Sequence, residues 1–152
     1  MEAGQRRLEY TRRMNSPHHS QYRAEFADVI VPAVEHYLEA SFDRDDRRLV
    51  GFSDGAEWVY DYFSDYPDFA RYAIALSPGG GIPDDVAPCS LNSCGMIFTG
   101  AGLQEEGFLQ NARGVANVLS KAVWNVSFLE RNSGHSPATW GPMFIEVFDK
   151  LE

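Results

Sequence analysis

The stretch Leu49-Val50-Gly51-Phe52-Ser53-Asp54-Gly55-Ala56 decides how this chain is read. Leu49 to Phe52 is a short apolar run of the kind that forms a buried strand, and a glycine-flanked turn ends it. From Ala56 to Ser64, Trp58, Val59, Tyr62 and Phe63 fall on one side of a helix that stops near Pro67. Strand, tight turn and helix therefore follow one another directly. Gly51 to Gly55 also matches G-x-S-x-G, the nucleophile elbow, in which flanking glycines let a sharp turn present a serine oxygen to solvent. In that geometry the backbone N–H of Asp54, at the helix N-terminus, faces the place where a tetrahedral oxyanion would form. A plain Gly-Ser turn is the alternative.

Working outward, the same alternation continues. Tyr72 to Leu76 reads as a strand, punctuated by Pro78-Gly79-Gly80-Gly81 into a loop that reaches Ser93. Met96 to Thr99 is another short apolar strand. Phe108 to about Ala122 carries Leu109, Ala112, Val115, Ala116 and Leu119 at helical spacing. Asn125 to Glu130 alternates in the manner of a strand through Val126 and Phe128, and Pro137 to Leu151 supplies a last helix. Upstream, Glu25 to about Ala40 draws one stripe with Phe26, Val29, Ile30, Ala33, Val34, Tyr37 and Leu38, which predicts a core-facing helix. Pro32 inside it predicts a kink or a late start. Residues 1–24, broken by Asn15-Ser16-Pro17, read as an irregular lead-in, and residues 25–152 as a single domain. Strands alternating with helices argue for parallel pairing, so the expected class is α/β, with about four strands and flanking helices in three layers.

At 152 residues with 44% hydrophobic and 23% charged residues, one globular core is expected, and fibrous or disordered classes are excluded. The longest apolar runs fall far short of the roughly 18 residues that cross a bilayer, so no membrane span is expected. Thirteen Lys and Arg against 22 Asp and Glu give a net charge of −9, a field that repels phosphate backbones and anionic headgroups. Nucleic acid is not an expected partner. Cys89 and Cys94 are too few and too close for a disulfide framework or a four-ligand zinc site, and are expected to be free thiols in a loop, the alternative being a local disulfide, whose Cα separation a sequence does not show. No metal or cofactor is expected. The charged N-terminus has no apolar segment behind it, so it is not read as a secretory signal, and cytoplasm is the default location.

A serine nucleophile needs an adjacent base held by a carboxylate. In hydrolase order both follow the serine. His135, in Ser133-Gly134-His135-Ser136, is the histidine downstream of Ser53, at the junction of the last strand and last helix. The acid is expected just past the strand beginning at Met96, where Gly100-Ala101-Gly102-Leu103-Gln104-Glu105-Glu106-Gly107 offers two carboxylates at a C-terminal strand edge. Either can equally serve the acidic first turn of the next helix. Asp84 and Asp85 are weaker candidates.

These residues together resemble a family. Gly51 to Ala56, then Ala73-Ile74-Ala75-Leu76-Ser77-Pro78-Gly79-Gly80, then Gly102-Leu103-Gln104-Glu105 before Phe108-Leu109-Gln110-Asn111, and finally Gly134-His135-Ser136 to Trp140, are similar to the esterase family of α/β-hydrolases. That family includes esterase D, feruloyl esterases and enterochelin esterase-like enzymes. Glu9-Tyr10 and Val31-Pro32-Ala33-Val34-Glu35 look like the segment preceding the elbow there. The resemblance implies Ser53 as nucleophile, His135 as general base and acid, and Glu105 as orienting carboxylate, since the family places its acid three residues past the glycine equivalent to Gly102. The implied substrate is a small-molecule carboxylic ester.

Family members are usually much longer, and this chain looks like their C-terminal half, without the early strands and the loop that donates a second oxyanion N–H. The expected fold is therefore a partial α/β-hydrolase. Its first strand, Arg48 to Phe52, would be left with an open apolar edge able to draw the chain into self-association. The competing expectation is a non-catalytic hydrolase-like protein acting as a binding or interaction module.

Overall fold

The computed structural model describes residues 12, 16–40, 42–80, 86–89 and 94–151. Four strands form one parallel sheet: β1 (Arg48–Phe52), β2 (Tyr72–Leu76), β3 (Met96–Gly102) and β4 (Asn125–Arg131), in the order β1-β2-β3-β4. Register is continuous from Arg48 opposite Tyr72, through Tyr72 opposite Met96, to Met96 opposite Asn125. The parallel α/β class read from the sequence is the one observed. Tyr72 to Leu76 is apolar throughout because a central parallel strand is covered on both faces.

An α-helix over Pro17–Glu25 (α1), a π-helical turn over Phe26–Ile30 and α2 (Val31–Tyr37) precede the sheet. Then come α3 (Asp54–Asp65) after β1, α4 (Glu106–Lys121) after β3 and α5 (Pro137–Asp149) after β4. α3 and α4 cover one face of the sheet, where Leu49, Ala73, Ala75 and Ile97 meet Val59, Phe63, Val115 and Leu119. On the opposite face Ile74, Leu76, Phe98 and Leu129 meet Met143 and Val147 of α5. The result is three layers, α/β/α. Side chains as fully buried as Phe63 and Phe98 each contribute roughly 2–3 kcal/mol by leaving water. No described helix is long and apolar enough to cross a membrane.

Of the irregular lead-in expected over residues 1–24, residues 17–24 are corrected, since they form α1; residues 1–11 and 13–15 lie outside the described residues. The Ser16 hydroxyl accepts from the His18 N–H at 3.2 Å and Pro17 occupies the first helical turn, so the Ser16-Pro17 pair that reads as a break is a helix start. Pro32 has the disruptive effect its missing N–H predicts: the helix widens into the π-helical turn immediately before it.

The stripe from Phe26 to Leu38 is not core-facing along its whole length. Phe26 packs edge-on against Trp58 at 4.8 Å and against Tyr62 at 5.4 Å, but Val29, Ile30, Val34, Tyr37 and Leu38 are exposed. Periodicity reports that one face is apolar; it cannot report what lies over that face. The converse holds for α3, expected to bury one side. Every residue from Ala56 to Ser64 is buried, because α1 through Tyr22 and the π-helical turn through Phe26 lie on its outer side. In β4, Phe128 is exposed, while Leu129 enters the core.

Cys89 and Cys94 are paired, not free: they form a disulfide with Cα atoms 5.9 Å apart, within the bonding range. The Cys89 N–H donates to the Ala122 carbonyl at the end of α4, and Cys94 leads into β3, so fixed elements hold the two together. Spacing alone carries none of that information.

Candidate active site

All four strands point their C-terminal ends at one edge of the sheet, and each delivers residues there. Ser53 follows β1 with φ 57 and ψ −124, a backbone conformation rarely adopted by a side-chain-bearing residue. It occupies the N-cap position of α3, but its hydroxyl caps nothing and lies 3.1 Å from His135 Nε2. Gly51 makes this turn possible. A Cβ there would sit 2.2 Å from the Gly55 carbonyl oxygen, so β1 and the first turn of α3 can approach only because residue 51 has no side chain. Gly55 differs, since a Cβ at that position meets nothing within 4 Å. One glycine of the motif is thus required sterically, not both. Asp54 opens α3, where first-turn N–H groups lack helical acceptors.

Glu105 follows β3 and stands at the N-cap of α4, again without capping. Its buried carboxylate turns back: Oε1 accepts the Gly102 N–H at 2.8 Å and the Ser77 hydroxyl at 3.1 Å, and Oε2 lies 2.6 Å from His135 Nδ1. Gly102 must be glycine for this. A Cβ there would lie 2.0 Å from the Ser133 carbonyl oxygen and 2.8 Å from Glu105 Oε1. Glu106 is exposed in the first turn of α4. Asp84 and Asp85 lie outside the described residues.

His135 follows β4 on a loop stitched to the Glu105 turn. Leu103 N–H donates to the Arg131 carbonyl at 2.7 Å and Gln104 N–H to that of Ser133 at 3.1 Å, while the Thr139 hydroxyl donates to the Gly134 carbonyl. Phe108 stacks on the imidazole at 3.9 Å, and Trp140 meets it edge-on at 4.9 Å. Ser53, His135 and Glu105, predicted from distant parts of the sequence, thus stand in one hydrogen-bonded chain.

Three neighbours carry no predicted role. Ser77 is fully buried after β2 with φ 52, Trp140 donates its indole N–H to the Ser77 hydroxyl at 2.9 Å, and Phe108 covers the imidazole. The position of Ser77, at a strand's C-terminal end before Pro78-Gly79-Gly80, is the signal that could have singled it out.

A shallow cleft of about 400 Å³ runs along Gly79, Glu106, Phe108, Asn111 and His135. A larger concavity, about 640 Å³ beside Arg23, Asp65 and Tyr66, contains none of the residues of the Ser53 chain. Size does not locate the chemistry here; the assembled side chains do.

No protein-family model matches the chain, and no curated protein matches it in sequence. Solved structures do match in fold. A ferulic acid esterase superposes with a TM-score of 0.69 at 18% identity, over 83% of this chain and 59% of that one. The enterobactin esterase of Shigella flexneri gives 0.67 at 14% identity, over 80% and 35%. A fluorophosphonate-binding serine hydrolase of Staphylococcus aureus gives 0.63 at 15% identity, over 82% and 62%. The fold is therefore the one shared by these α/β-hydrolases. The chain spans roughly a third to three-fifths of the length of each.

Proposed function

We propose that the chain is a serine esterase that hydrolyses small carboxylic esters. The observation that supports it is the unbroken contact chain from Ser53 Oγ through both nitrogens of His135 to Glu105 Oε2, at 3.1 and 2.6 Å. Ser53 Oγ attacks the acyl carbon while His135 Nε2 takes its proton, and the carbonyl oxygen becomes an oxyanion beside the Asp54 N–H. Collapse expels the alcohol, which receives that proton from His135. Water, deprotonated by the same nitrogen, then attacks the acyl-enzyme, and the acid leaves as Ser53 is reprotonated. Glu105 accepts from Nδ1–H throughout, fixing the tautomer that leaves Nε2 as base.

The test is labelling by a fluorophosphonate probe together with p-nitrophenyl acetate hydrolysis. Ser53→Ala abolishes both with little change in Tm, since the replaced hydroxyl makes no cap. His135→Ala loses as much, and the double variant is no worse, because groups acting as one unit are not additive. Wild-type turnover in Ser53→Ala sinks the reading.

The second reading is a non-catalytic hydrolase-like interaction module, for which a folded chain refuses the probe. Under either reading the edge of β1, terminal in the described sheet, is proposed as the route of self-association, which sedimentation measures and Val50→Lys, a charge on the partly exposed face of that strand, reverses. A monomer at all concentrations would remove that part.

A further inference from the structure

The Ser77 hydroxyl stands between two partners whose chemistry leaves it one orientation. An indole N–H can only donate, so at 2.9 Å the Trp140 Nε1–H must use a lone pair of Ser77 Oγ. The hydroxyl proton then has Glu105 Oε1, 3.1 Å away, as its acceptor. Oε1 also receives the Gly102 N–H at 2.8 Å, so both donors hold the same carboxylate oxygen and Oε2 is left to His135 Nδ1. Ser77 is fully buried, and Glu105 is 4% exposed, so water does not substitute for a lost donor. Trp140 belongs to α5, the helix that follows the His135 loop, and its ring also stacks on Phe52 at 5.3 Å and meets the imidazole edge-on. One helix therefore fixes the far end of the relay and flanks the base that the relay serves.

We propose that Ser77 is a positioning residue, whose hydroxyl, oriented by the Trp140 indole, sets the rotation of the Glu105 carboxylate and through it the alignment of His135 on Ser53. The proposal rests on the esterase reading above. It separates the hydroxyl from the backbone of Ser77: at φ 52 a glycine is at ease, so Ser77→Gly removes the donor and keeps the turn. Because the Gly102 N–H still holds Oε1, the loss is partial, less than that from removing the acid itself.

The experiment uses the purified full chain with p-nitrophenyl acetate and the far-downfield proton NMR signal of His135 Nδ1–H, identified by its absence in His135→Ala. In Ser77→Gly, kcat falls about tenfold to a hundredfold with KM unchanged, and the proton signal moves upfield or broadens away while the far-UV circular dichroism is retained. Wild-type kcat and an unmoved signal overturn the proposal, as does a rise in KM at unchanged kcat. Should Ser77→Gly not fold, Trp140→Phe keeps an aromatic ring and deletes the N–H; a severalfold loss of kcat with the same signal change is expected, and wild-type behaviour overturns the proposal. A wild-type chain that hydrolyses no ester defeats the esterase reading on its own account, and the signal in Ser77→Gly still reports whether Ser77 orients Glu105.

Discussion

Glu105 and Glu106 are neighbours of the same type with different surroundings, and their mutations should separate accordingly. Glu105 is buried against His135, Gly102 and Ser77, whereas Glu106 faces solvent in the first turn of α4. Under the esterase reading, Glu105→Gln should lower kcat on the order of a thousandfold or more, since an amide selects the wrong imidazole tautomer. Glu106→Gln should cost at most about 1 kcal/mol of stability, through the helix dipole; kinetics and thermal melts on both variants check the ranking. A second carboxylate, Asp61 on α3, is perturbed with no link to that site. Burial pushes its pKa up to about 6, outweighing the Arg12 guanidinium 3.8 Å away. A folded carboxyl that binds its proton more tightly than the unfolded one loses stability as pH rises from about 4 to about 6. Asp61→Asn should therefore be more stable than wild type at pH 7.5, by on the order of 2–3 kcal/mol, with the gain fading through that window and absent below it. Denaturation at pH 7.5, 5 and 4 measures the trend; a gain that grows on acidification would contradict it.

The β1–α3 element shows what a motif encodes and what it leaves out. Gly51 and Gly55 are equivalent letters in G-x-S-x-G, but only Gly51 faces opposing backbone. Gly51→Ala should destabilise by about 2 kcal/mol or more and displace Ser53, because neither the Gly55 carbonyl nor the Ala56 N–H can move alone. Gly55→Ala, in open space near the start of α3, should be neutral or stabilise by up to about 1 kcal/mol. Urea midpoints of the two variants settle the contrast. Three strands were legible from short apolar runs and the fourth from alternation; Ser53 came from the motif and His135 from its place after the last strand, whereas the strand end offered both Glu105 and Glu106 and only the family resemblance chose between them. Other features depended on through-space contacts that no local pattern carries. The hydrogen bond that Ser77 accepts comes from Trp140, 63 residues away, and the burial of α3 on all sides needed Tyr22 and Phe26. The exposure of the α2 stripe and the Cys89–Cys94 pairing are of the same kind.

Across the whole molecule, the single parallel sheet agrees with what the alternation of strands and helices indicates, while the coverage of its faces is uneven among the described residues. Among the described residues, α3 and α4 lie on one face and α5 on the other, and Val50 is partly open at the β1 end. Meanwhile the site runs the full width of the sheet: Ser53 leaves β1, Ser77 leaves β2, Glu105 leaves β3 and His135 leaves β4. No pair of adjacent strands contains it. Under the esterase reading, fluorophosphonate labelling should vanish in urea at the same midpoint as the far-UV circular dichroism, as a two-state domain requires. Labelling lost at lower urea would mean that one strand end detaches first. Where the midpoints coincide, the probe becomes a gauge of structural integrity: the labelled fraction of any preparation counts the molecules in which every strand is in register.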